Sequence, residues 1–259
     1  MPINLAEYYD CVINWERRLA REMPLLEELT RNAGRRVLVP ACGTGGHVVA
    51  LAQRGFSVLG FDADADALSV ARARIASQAE SIAAARGEAH LQQLTMEEAG
   101  QLGPKYDVTF CLGNALPGLS APGQLRAAFE GMAAALRPRG IFFTQNLNYD
   151  LRWREKARWF PVLSGETAEE EVLLVKFADY EAELINFHVM FLARNKAGGK
   201  WESTVRTSQQ IPLFRTRLAE LMAEAGFDKF NFWGDYGNSP FDPEKSTDLI
   251  ILAEKAVRQ

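Results

Sequence analysis

Two periodicities alternate along the first 150 residues. Apolar runs of strand length occur at Arg35–Pro40, Val58–Asp62, Glu88–Leu94, Tyr106–Leu112 and Gly140–Leu147. Between them lie segments with helical spacing: residues 46–54, stopped by Gly55; an alanine-rich stretch from Asp64 to Ala85; and Pro122–Leu136, which ends before Pro138. Alanine favours helix most and proline cannot continue one, so composition and punctuation agree with the periodicity. Upstream, residues 3–33 read as helix in two pieces, with Pro24 opening the second because proline fits a first helical turn. Strict alternation of strand and helix predicts a doubly wound α/β fold, a parallel sheet covered on both faces.

The pattern changes after Asp150. Glu171–Tyr180, Leu184–Arg194 and Lys200–Ile211 are strand-like, and Asn195-Lys196-Ala197-Gly198-Gly199 is a turn between two of them. They predict an antiparallel meander inserted after the fifth strand, covering a substrate site. A helix (Phe214–Ala225), Gly226 as its stop, and two strands (Lys229–Gly234 and Asp248–Glu254) then close the sheet edge as a hairpin-like pair. The expected division is a helical lid and α/β core over 1–150, the β insertion over 151–212, and the closing elements of the core over 213–259.

With 47% hydrophobic and 24% charged residues, the 259-residue chain has the material for a buried core. A net charge of -4 supplies no broad basic field, so no nucleic-acid partner is expected. Cys11, Cys42 and Cys111 lack metal-ligand spacing and read as small buried thiols in a reducing compartment. The first residues lack the basic and apolar regions of a signal peptide, and no apolar run approaches the roughly 20 residues that span a bilayer. The expectation is a cytoplasmic protein with no membrane partner; its oligomeric state is not legible.

The chemistry begins at Val37-Leu38-Val39-Pro40-Ala41-Cys42-Gly43-Thr44-Gly45-Gly46-His47. A strand runs into a glycine turn that opens a helix, and the next strand ends on Asp62, seventeen residues after Gly45. This is the layout of a nucleotide-type cofactor site at the switch point of a parallel sheet. Glycine lets backbone approach a ligand, a helix start offers N–H groups to an anion, and a strand-end carboxylate can accept from both ribose hydroxyls. A nicotinamide fingerprint would need glycine at position 48, which is Val48, and no Tyr-x-x-x-Lys pair appears. Neither a Ser/His/Asp arrangement nor a C-x-x-C or H-E-x-x-H motif is present, so no metal or covalent nucleophile is expected.

Val37–Gly45 resembles the first motif of class I S-adenosylmethionine-dependent methyltransferases, with Asp62 at the position of their ribose-binding acid. Cys111-Leu112-Gly113-Asn114-Ala115-Leu116-Pro117-Gly118-Leu119 and Asn148-Tyr149-Asp150 are similar to the glycine/sarcosine N-methyltransferase branch. Leu136–Ile141 resembles the family's turn into strand five, and Gly226-Phe227 with Asp248–Lys255 its closing strands. The resemblance implies a seven-stranded Rossmann-like methyltransferase sheet with an antiparallel β insertion after strand five, and S-adenosylmethionine as cofactor. It implies cofactor contacts at Arg18, Ala41, Gly43, Thr44, Gly45, Asp62, Ala63, Thr95, Met96, Leu112 and Gly113. Tyr9, Asn114 and His188 are the candidates at the reacting centre: Tyr9 on the helical lid, Asn114 to orient a nucleophile, His188 as a base. For each a milder reading stays open, namely helix packing, a turn, and a solvent-facing strand position.

The departures bear on substrate. Val39-Pro40 stands where the family's first motif has an acid followed by an apolar residue, Thr95 stands where an acid commonly meets adenine, and Arg139 replaces a glycine. Leu147 occupies the place of the arginine that binds the carboxylate of glycine in that branch, which argues against glycine or sarcosine. The expected activity is methyl transfer to a small molecule at nitrogen, by in-line displacement with little acid or base help. The alternative is a non-catalytic or regulatory S-adenosylmethionine-binding protein on the same fold.

Overall fold

The computed structural model describes residues 5–257, so residues 3 and 4 of the predicted first helix lie outside it. The chain opens with α1 (Leu5–Val12) and α2 (Trp15–Ala33). The break falls at Ile13-Asn14, not at Pro24. Asn14 caps α2 by accepting from the Arg17 N–H at 2.9 Å, and Pro24 is absorbed inside the helix. A good cap fixes a helix start, whereas an interior proline removes one bond from a ladder that α2 is long enough to maintain.

The core then alternates: β1 (Arg36–Pro40), α3 (Gly46–Ala52), β2 (Ser57–Asp62), α4 (Ala65–Ser77), α5 (Ala79–Ala84), β3 (Glu88–Gln93), β4 (Tyr106–Cys111), α6 (Gln124–Ala135) and β5 (Leu136–Leu147). The alanine-rich stretch is two helices, interrupted at Gln78, and β5 begins four residues earlier than the apolar run suggests. Arg139 sits there at φ 61, and the β4–β5 register shifts between Tyr106 and Val108. A bulge thus admits the Arg137-Pro138-Arg139 segment into the strand.

Two unanticipated elements, α7 (Tyr149–Glu155) and β6 (Leu163–Glu166), precede the meander of β7 (Glu170–Tyr180), β8 (Ile185–Asn195) and β9 (Glu202–Gln210). The chain ends with α8 (Arg215–Glu224), β10 (Phe227–Trp233) and β11 (Asp248–Lys255).

Seven strands form one sheet in the order β10-β11-β5-β4-β1-β2-β3, and four form a second in the order β6-β7-β8-β9. β1 to β5 are parallel, while β11 runs antiparallel between β5 and β10. β1 is central and buried over Val37–Pro40. From it the chain winds outward through β2 and β3, then returns to lay β4 and β5 on the other side. The loops after β1 and β4 therefore diverge, leaving a crevice at the carboxyl ends. Apolar clusters fill both faces of this sheet, and a small third one joins Tyr8 and Val12 of α1 to Val172, Leu174 and Phe191 of the second sheet. α1 comes so close that a Cβ on Gly165 would lie 2.1 Å from the Cys11 carbonyl oxygen, and Tyr8 donates to Glu170.

Candidate active site

A cavity of ≈ 620 Å³ occupies that crevice. One wall is the β1 turn through Thr44; opposite it are Leu112, Gly113 and Ala115 after β4. Asp64, Asp66 and Ala67, at the start of α4, flank one end. Trp15 and Arg18 of α2, Tyr9 of α1, and Val189, Phe191 and Arg206 of the second sheet complete the enclosure. The turn is made by left-handed backbone at Ala41 (φ 47), Gly43 (φ 53) and Gly45 (φ 77). A Cβ at Gly43 would meet nothing within 4 Å, so the turn presents bare backbone to open space.

The structure brings Tyr9, Arg18, Ala41, Gly43, Thr44, Leu112 and Gly113 to this cavity. Asp62 stands behind the turn, its Oδ2 accepting from the Gly43 N–H at 2.8 Å and its Oδ1 from the Asp64 N–H at 3.0 Å. Each carboxylate oxygen keeps a further acceptor position. Gly45 serves packing: a Cβ there would lie 2.9 Å from the Cβ of Ala71, so its absence lets the turn sit on α4. Ala63 lies outside the wall, its carbonyl accepting from Gln93 at 3.1 Å.

Four of the expected site residues stand away from the lining of this cavity. Thr95 is engaged with Glu98, whose Oε2 accepts from its N–H at 3.0 Å and its hydroxyl at 3.1 Å, just ahead of the 3-10 turn Glu97–Leu102. Met96 is buried in the core beside it, and neither residue reaches the cavity. Asn114, at φ 60, accepts from the Leu147 N–H at 2.9 Å and donates to Tyr149 Oη at 3.0 Å. Both ends of its amide are used to tie the β4 loop to β5. His188 alternates with Val189 along β8 and so lies on the far face of the second sheet, stacked on Phe177 at 4.5 Å with Nδ1 2.8 Å from Thr207 Oγ1. A one-residue change of parity places a strand side chain on the opposite face, which apolar spacing alone did not resolve here. Within the insertion, Arg206 lines the cavity, while Tyr180 and Trp201 do not.

Residues 37–140 match a methyltransferase domain family. A glycine/sarcosine N-methyltransferase of Halorhodospira halochloris is 24% identical over 97% of this chain and 87% of its own length. One from Parasynechococcus marenigrum is 26% identical over 98% and 84%. Among solved structures, an S-adenosylmethionine-dependent methyltransferase from Clostridium acetobutylicum superposes with a TM-score of 0.72 at 15% identity, covering 90% of this chain and 89% of that one. An S-adenosylmethionine-bound amino pentose methyltransferase from Micromonospora echinaspora gives 0.66 at 20% identity, over 94% and 92%. The chain is an S-adenosylmethionine-dependent methyltransferase, similar over most of its length to the glycine/sarcosine N-methyltransferases. The cavity offers that cofactor bare backbone at Gly43, the Arg18 cation and the Asp64 and Asp66 carboxylates.

Two polar networks in the methyltransferase escaped sequence reasoning. Behind Arg18 lies the fully buried Glu22, which accepts from Arg18 Nε at 3.2 Å and Arg21 at 2.7 Å and lies 2.7 Å from His47 Nε2. Burial pushes the Glu22 carboxyl up, but the His47 bond and the Arg18 and Arg21 charges outweigh it and hold it at about 2. Burial drives His47 the other way, lowering its affinity for a proton. His47 is thus a structural donor, as its place at the start of α3 suggests. The second network centres on Asp10, which accepts from Trp15 Nε1 at 2.8 Å, Thr44 Oγ1 at 2.6 Å and Arg74 Nη2 at 2.6 Å. One carboxylate of α1 therefore clamps α2, the turn and α4 together. Its only trace in the sequence is an acid in an amphipathic helix.

Proposed function

We propose that this methyltransferase transfers the methyl group of S-adenosylmethionine to the nitrogen of a small amine held between the β4 loop and the second sheet. The cofactor supplies a methyl already activated on a sulfonium. What remains for the protein is binding, orientation and exclusion of water, and orientation alone accounts for roughly 7–11 kcal/mol of barrier lowering in favourable cases. In this reading Gly43 and Leu112-Gly113 pass the cofactor on either side, Asp62 accepts from the ribose hydroxyls, and Arg18 pairs with its carboxylate. A Cβ on Gly113 would lie 3.2 Å from Arg18 Nη2, so glycine there keeps the guanidinium accessible.

The observation that carries nitrogen as acceptor is the character of the walls. Of the residues named for the reacting centre, Tyr9 alone lines the cavity, and the lining His47 is buried against Glu22. A neutral amine attacks through its own lone pair, whereas a hydroxyl needs a base, which typically contributes about 10²–10⁴ in rate. The two relatives described above, both glycine/sarcosine N-methyltransferases, support this reading. Matched primary amines and alcohols incubated with labelled cofactor test it: N-methylated product is expected, and turnover confined to the alcohols would refute the assignment.

A further inference from the structure

The second sheet turns a basic face toward the cavity, with Arg206 in its wall and Lys176 beside it on the same face. In the β7–β8–β9 register Lys176 pairs with Val189 and Val189 with Arg206, so these three residues stand side by side on one face. Strand spacing puts the outer two about 10 Å apart at Cα, within reach of one another over the short valine. Val189 and Arg206 line the cavity, which fixes the face. From α7, Arg152 approaches the same place: its guanidinium lies 4.1 Å from the centre of the Phe160 ring, and Lys176 Nζ lies 5.9 Å from that ring.

These cations lack anions. Arg152 Nη2 is buried without a hydrogen-bond partner, and among the described residues neither Lys176 nor Arg206 has a carboxylate or carbonyl acceptor. Burial and the charges of Arg18 and Arg152 press the Lys176 ammonium toward losing its proton. Gathered like charges with an orphaned buried donor are unfavourable unless something else answers them. Arg18 is already answered by Glu22 and, in the reading above, by the cofactor carboxylate. Three cations remain, more than one carboxylate needs.

Resting on the methyl-transfer reading, we propose that Lys176, Arg206 and Arg152 form an anion subsite, and that the amine substrate carries a dianionic group, a phosphate ester or paired carboxylates. The insertion thus takes over the role that Leu147 cannot perform, with greater charge. Guanidinium and ammonium groups are suited to both oxyanions, and the two sources are separable by probe.

The test is calorimetry on the full chain saturated with S-adenosylhomocysteine, titrated with inorganic phosphate, malonate and acetate. Phosphate or malonate should bind at least about tenfold more tightly than acetate, the stronger of the two naming the source. Arg206→Gln and Lys176→Met should each weaken that probe by about tenfold or more while S-adenosylhomocysteine affinity stays unchanged. Arg206 is exposed, so its substitution leaves the fold intact. Equal affinities for acetate and the dianions, or variants that bind the dianion as wild type does, would overturn the subsite. Failure of S-adenosylhomocysteine itself to bind would instead strike the underlying methyl-transfer reading.

Discussion

Glu22 shows how one side chain under the site links folding to protonation. Its carboxyl is held at about 2 against an ordinary 4.5, so the folded state gives up protons that the unfolded chain binds. Stability from this group is therefore complete above the ordinary value and lost as pH falls through about 2; a shift of that size corresponds to on the order of 3 kcal/mol. His47, whose proton affinity burial lowers, works in the same direction. Denaturant melts between pH 6 and 2 should show wild type losing stability steeply, and Glu22→Gln starting lower with a flatter curve; parallel curves would show that the network carries no linkage. Tyr9 and His188 yield a second prediction. Because the proposed nucleophile needs no base, Tyr9→Phe and His188→Ala should each keep kcat within about tenfold, whereas a loss of about 10² would indicate a base after all. None of Glu22, Asp10 or the parity of His188 was readable from the chain, because each depends on partners far away in sequence, 25 residues in the case of Glu22 and His47. Gly43 and Asp62 were readable, because a glycine turn and a strand-end acid declare themselves locally.

The lid depends on an element that the apolar pattern missed. β6 is only Leu163–Glu166, too short and too glycine-interrupted to show alternation, yet it gives α1 its seat. Gly165 admits the Cys11 carbonyl, so Gly165→Val should push α1 off the sheet. The expected result is weaker S-adenosylhomocysteine binding by about tenfold with the far-ultraviolet circular dichroism unchanged, since the clash displaces one helix and spares the main sheet. Unchanged affinity would show that α1 does not help to enclose the cofactor. Pro24 teaches the converse. It looked like a helix start, but Asn14 supplied a better one, and capping outweighed the proline signal. β5 likewise begins inside what the Pro138 signal marked as a turn, because a bulge at Arg139 absorbs the residue that would have ended pairing.

The parallel core followed from the alternation of the first 150 residues and the closing pair from the hairpin-like ending; the count of seven strands came from the family resemblance, and the order that sets β11 between β5 and β10 comes from the structure. The second sheet was visible as three alternating runs, but which face it turned to the cavity was not. That face decides the substrate chemistry, since it exchanges His188 for Val189 and brings Arg206 inward. Thr95 stands apart for a different reason: its hydroxyl, which the family resemblance reserves for adenine, donates to Glu98. What the whole molecule rests on is the meeting of the β1 turn with Asp62 at the switch point. Calorimetric titration of S-adenosylhomocysteine into wild type and Asp62→Ala measures this directly. Saturable one-to-one binding by wild type, weakened about tenfold or more when Asp62 is removed, is the expected result. No binding by wild type, or equal affinity in the variant, would contradict it.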